Sequence, residues 1–179
     1  MPTERNIRTN FAFYPPRGDG GAWRATAEAL ETALREAFPD PTVEYRISGI
    51  HSVPVLDFEI ELVPGVWIDG TASMPKPDYA YITLTDVTAG EAAVFARWLR
   101  DSFVPAPHLV WFASSLAVAN GEQDPWPLPA EGGDEEVAAE LRRHLDSVET
   151  PEASPQRVRR TPVSDRPEPI ELQAFRFNV

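Results

Sequence analysis

The chain has 179 residues, 42% of them hydrophobic and 10% aromatic, with 28 acidic against 16 basic side chains for a net charge of −12. That composition supports one globular domain with a sizeable core and excludes a disordered chain. The lack of cysteine excludes disulfides, thiolate metal sites and cysteine nucleophiles, and the acidic excess argues against binding to nucleic acid phosphates.

No apolar run reaches the ~20 residues that a membrane helix needs. Met1 to Pro16 lacks the charged-then-apolar layout of a signal peptide. A cytoplasmic protein without membrane contact is the expectation. Lys76 is the one lysine among 16 basic residues, a composition that, with abundant Ala and Pro, suits a high-GC bacterial genome. The charge is uneven. Residues 1–149 carry 24 acidic against 11 basic side chains, a net of −13, while 150–179 carry four against five, a net of +1. An acidic body of this kind stays soluble, and it speeds encounter with a basic protein partner.

Ile7 to Tyr14 (IRTNFAFY) reads as a first strand, closed by Pro15-Pro16 and the turn-prone RGDGG. From about Gly21 to Phe38 an amphipathic helix follows, with Trp23, Ala27, Leu30, Leu34 and Phe38 on one face. Arg24–Glu28 and Glu31–Arg35 are its i,i+4 pairs, and Pro39 and Pro41 end it. Val43 to Ser48 (VEYRIS) is a second strand. From Val55 to Val63 the alternation is nearly strict: Leu56, Phe58, Ile60 and Leu62 go to the core, and Asp57, Glu59 and Glu61 go to the other side. Pro64-Gly65 marks a turn. Setting Val63 opposite Trp67 pairs Leu62 with Ile68, Glu61 with Asp69 and Phe58 with Ala72. Asp69-Gly70 offers a competing hairpin turn, which would shorten the returning strand to GVWI.

Tyr79 to Ser114 is the central unit, a strand, a capped helix and a strand. Thr88 stands three residues before Glu91, the spacing of a capping box. Ala92, Phe95, Ala96, Leu99 and Phe103 then recur at helical spacing with Trp98 beside them, while Arg97, Arg100 and Asp101 fall on the opposite side. Pro105 and Pro107 stop this helix, and HLVWFA has the length of a strand. Ser114 to Gly121 is a short helical or extended piece. A loop follows in which Trp126 packs against the domain. Asp134 caps a helix to about Val148, with Val137, Leu141, His144, Leu145 and Val148 along one side. Residues 150–169 form a Pro-rich linker or arm, and Ile170 to Val179 return to strand character, joining either their own sheet or a partner's. The order describes an α+β domain over 1–149: a mixed, mainly antiparallel sheet with two or three helices packed on one face.

Asp57, Glu59 and Glu61 project from one strand face at intervals of ~6.6–6.8 Å, and Asp69 joins them across the hairpin. Such a row is either the solvent face of an antiparallel strand or a docking surface for a basic partner. A metal site is conceivable, since hard cations take carboxylate oxygens, but an open row lacks the convergence that catalysis requires. Tyr79 and Tyr81, on one strand face with Trp67 nearby, read either as half-buried sheet packing or as an aromatic patch for a partner. His51, His108 and His144 are scattered, without HxH or HExxH spacing, and there is no G-x-S-x-G elbow, P-loop or GxGxxG fingerprint. A Ser–His–acid triad stays open on spacing alone. No catalytic residue, cofactor or metal is expected. Arg157, Arg159 and Arg160 give the arm a basic cluster, either part of a solvated linker or a grip for an acidic surface, including that of a sister chain.

The helix DVTAGEAAVFARWLRDSF, the strand and turn HLVWFASSLAVANGE after it and the DFEIE row resemble the immunity proteins of bacterial polymorphic toxin systems. These are small acidic cytoplasmic α+β proteins that neutralise a cognate toxin. The resemblance covers roughly 79–122, and the Pro-rich arm departs from it. It implies binding without catalysis, with Asp57, Glu59, Glu61 and Asp69 facing a basic site. The competing expectation is a structural or accessory subunit of a bacterial assembly, self-associating through 150–179 by strand addition.

Overall fold

The computed structural model describes residues 6–49, 52–76, 79–122 and 124–149. The arm and terminal strand expected over 150–179 lie outside the described residues, as does His51. In chain order the elements are β1 (Thr9–Tyr14), α1 (Ala27–Ala37), β2 (Thr42–Ser48), β3 (Val53–Val63), β4 (Val66–Lys76), β5 (Tyr79–Val87), α2 (Ala89–Trp98), β6 (Trp111–Ser114), α3 (Ser115–Ala119), β7 (Trp126–Pro127) and α4 (Asp134–Glu149). The strands form one sheet in the order β2-β3-β4-β5-β1-β6-β7, and every pair is antiparallel. The fold is α+β, as its alternating and helical periodicities predict. β5 and β6, joined through α2, run parallel to one another with β1 inserted between them.

The period of two along each strand sorts the side chains. Leu56, Ala72, Ile82, Phe13 and Phe112 form one rung across five strands, and Phe58, Gly70, Leu84 and Phe11 form the next. Both rungs are buried, and the helices cover them. Phe95 of α2 is the centre of this layer, with its ring 5.9 Å from Phe58, 6.2 Å from Phe13 and 5.4 Å from Trp98. α2 starts as its sequence requires: Thr88 Oγ1 accepts from Glu91 N at 3.1 Å and Glu91 Oε1 accepts from Thr88 N at 3.0 Å.

The hairpin between β3 and β4 departs from the expected register. Ile60 lies opposite Ile68, Glu59 opposite Asp69 and Phe58 opposite Gly70. Each pairing is shifted by two residues from the expected one. A tight Pro64-Gly65 turn, with Gly65 at φ +84°, closes the hairpin between Val63 and Val66. The odd residue is taken up by an irregularity between Glu61 and Val63, not by the turn. A shift of two keeps every side chain on its expected face. The Asp69-Gly70 turn is not formed. Gly70 sits within β4 because the Phe58 ring lies over it, and a Cβ there would come within 2.3 Å of that ring.

Three helix expectations change as well. α1 begins at Ala27 behind the Thr26 cap, so Arg24 (φ 49°) belongs to the lead-in and makes no i,i+4 helical pair with Glu28. Trp23 is buried from that lead-in, with its Nε1 donating to the Leu109 carbonyl at 2.7 Å. Arg100 does not face solvent. The chain widens into a π turn over Leu99–Phe103, which carries Arg100 inward. Its guanidinium donates to Asp101 and to the carbonyls of Pro129, Glu131 and Gly132, at 2.7 to 3.2 Å. These bonds tie the loop before α4 to the end of α2, and Arg97 adds a 3.0 Å bond to Asp134. Asp134 is therefore the first helical residue rather than the cap. Gly133 precedes it, with Glu136 Oε1 accepting from Gly133 N at 2.7 Å. In HLVWFA, Pro107–Leu109 make a short 3₁₀ turn, and the strand starts at Trp111.

Candidate functional site

The side of the sheet away from the helices is the open face. Asp57, Glu59, Glu61, Asp69, Tyr79 and Tyr81 all belong to it by register and parity. The sheet divides them into two groups. Glu59, Asp69 and Thr85 share one level across β3, β4 and β5, whereas Tyr81 lies level with Ser73, four residues further along β4. At 3.2–3.4 Å per residue, that separates the Glu59–Asp69 pair from Tyr81 by about 13 Å along the strands, with Asp57 at the level between them. Trp67 stands half-exposed opposite Glu61 at the hairpin end.

The four carboxylates have different local duties. Asp57 is engaged within the sheet: Arg46 of β2 donates to it through Nε and, at 3.3 Å, through Nη2, and the Thr71 hydroxyl donates at 2.8 Å. The bond to Asp57 raises the Arg46 pKa above its ordinary value. Glu61 turns back to accept from Gly65 N at 2.8 Å and so secures the hairpin turn. Glu59 and Asp69 are left. They are exposed, directly opposite one another, and make no salt bridge among the described residues. Arg46 and Thr71 escaped the sequence reading. Their signal was present, because antiparallel pairing of VEYRIS with the DFEIE strand puts Glu44 and Arg46 on the acidic side.

At the aromatic end, the Tyr79 and Tyr81 rings meet edge to face with centroids 5.8 Å apart. Burial, with Tyr79 beside it, pushes Tyr81 up to about 12, and burial also raises Tyr79. Tyr14, on neighbouring β1, is raised by burial and by both of these tyrosines. All three are therefore neutral hydroxyls across the physiological range, able to donate as well as accept.

A second polar constellation lies on the helix side. Ser114 and His144 meet at 2.9 Å between Oγ and Nε2, both almost wholly buried. Ser114 Oγ also accepts from Ala117 N at 3.1 Å, which caps α3. The imidazole stands edge-on to Phe112 and Trp126, with centroids 5.0 and 4.8 Å away, and burial lowers its pKa to about 4. His144 Nδ1 has no hydrogen-bond partner among the described residues, so no carboxylate orients the ring as in a catalytic triad. The pair lashes α4 to the β6–α3 junction. Residue types alone did not disclose it, since 30 residues separate its members. His108 sits exposed on the 3₁₀ turn. Among the described residues no group of three or more His, Asp or Glu side chains is placed to hold a metal ion, and no helix is long and apolar enough to cross a membrane.

No protein-family model matches the chain, and no curated protein or solved structure is significantly similar to it.

Proposed function

We propose that this chain is a non-catalytic acidic protein-binding module, immunity-protein-like, which docks or neutralises a basic protein partner on the open face of its sheet. The Glu59–Asp69 pair carries this reading. Like charges directly opposite on neighbouring strands are destabilising, and among the described residues these two lack the partners that Asp57 and Glu61 have. An Arg or Lys seated between them would relieve that repulsion and make charge-assisted bonds to both. Trp67, 49% exposed and opposite Glu61, sets beside the acidic group the aromatic surface that interfaces favour. The net −13 of residues 1–149 steers a basic partner towards the face.

The test is capture from a bacterial lysate on the tagged full-length protein, washed at low and high salt and analysed by mass spectrometry. A single basic protein, retained at low salt and lost from Glu59→Gln/Asp69→Asn, is the expected result. Asp57 and Glu61 are left unchanged because both also serve the fold. Capture that is indifferent to both substitutions and to salt would overturn the reading.

A further inference from the structure

β2 ends the sheet, and its outer edge has no neighbouring strand among the described residues. Its seven residues pair with β3 without any register shift, from Thr42 opposite Glu59 to Ser48 opposite Val53. The edge therefore lacks the bulge or internal proline that commonly protects one. It also exposes apolar surface: Ile47 is 64% exposed and Tyr45 46%. Their side chains lie on the helix side, where the Tyr45 hydroxyl donates to Glu31 of α1 at 2.8 Å.

The sequence of this edge complements itself. An antiparallel partner related by a two-fold axis normal to the sheet keeps the same face up and allows only registers in which paired residue numbers have an even sum. With the axis at Tyr45, Glu44 of each copy lies opposite Arg46 of the other, Val43 lies opposite Ile47, and Tyr45 meets Tyr45. A slide to the next allowed register on either side sets Glu44 against Glu44 or Arg46 against Arg46. Charge thus selects one register of three. The pairing also relieves a strain inside the subunit, where Glu44 lies directly opposite Asp57. A second Arg46, from the other copy, would stand on the other side of Glu44.

We infer that two copies of this chain associate through their β2 edges, antiparallel about Tyr45, to make one continuous sheet. The occupant of the edge is a second copy of the chain itself. The inference is independent of the acidic face as a docking surface, since it rests on the edge of β2.

The test is the mass of the full-length protein in solution, by sedimentation or light scattering, over a concentration series. Wild type should approach twice 19.9 kDa as concentration rises. Glu44→Arg turns two opposite-charge pairs into like-charge pairs and should weaken association about tenfold or more. Glu44→Arg mixed with Arg46→Glu should recover a heterodimer, because both cross-pairs then become complementary. Arg46→Glu also releases Asp57 within its own subunit, so Ile47→Lys serves as a second variant: it changes an exposed side chain and should likewise give monomer. A protein monomeric at every concentration would overturn the inference, as would a dimer unaffected by Glu44→Arg and Ile47→Lys. A monomer whose β2 amides are nonetheless protected from hydrogen exchange would assign the edge to another strand, 170–179 included, and would overturn it too.

Discussion

Phe58 and Asp57 are neighbours on β3 and face opposite ways, and the two sides of the sheet they serve are built on different principles. On the helix side, side chains fill space: Phe58 covers Gly70 and stacks on Phe95, and Phe95 meets Phe13 and Trp98. Each group there is matched in shape to several others. On the open side, charges and hydroxyls are matched only in part. Asp57 has Arg46 and Thr71, whereas Glu59 and Asp69 have one another. Shape matching stabilises a fold without a partner. Partial charge matching leaves carboxylates that the proposed basic partner would complete.

The largest effect expected from breaking the helix side is at its centre. Phe95→Ala removes a wholly buried ring and should lower stability by about 3–5 kcal/mol in urea denaturation. The next is a pH effect at His144. Its pKa falls from 6.5 when unfolded to about 4 when folded, because burial disfavours the charged form. Between those values the unfolded chain binds the extra proton, so stability is complete above about 6.5 and declines as pH falls to about 4, by on the order of 3 kcal/mol. Denaturation midpoints across that range should show the decline, and His144→Leu should remove this part of it. Gly70→Ala drives a methyl group into the Phe58 ring and should cost about 2 kcal/mol by thermal melting. Asp69, one residue earlier, faces the other way, and Asp69→Asn should change the melting temperature little.

Much of this contrast was legible in the sequence, because a period of two assigns faces without any knowledge of tertiary partners. DFEIE disclosed which residues leave the core, and Thr88 with Glu91 disclosed where α2 starts. What escaped were local backbone irregularities and contacts distant in sequence. The hairpin register shifted by two because the irregularity near Leu62 absorbed a residue that local pairing would give to the turn. Arg100 looked solvent-facing on a helical wheel, but a π turn redirected it to three carbonyls some 30 residues away. Asp57 looked equivalent to Glu59 until β2 brought Arg46 beside it. The acidic row was therefore legible as a row, and its division into structural and free carboxylates was not.

The central claim is that Glu59 and Asp69 oppose the fold slightly and serve recognition. Urea denaturation of Glu59→Gln/Asp69→Asn beside wild type tests it most directly, since neutralising both ends their repulsion. The account predicts unchanged stability or a gain of up to about 1 kcal/mol. A loss greater than about 1 kcal/mol would show that the two carboxylates hold the sheet together, and would contradict it.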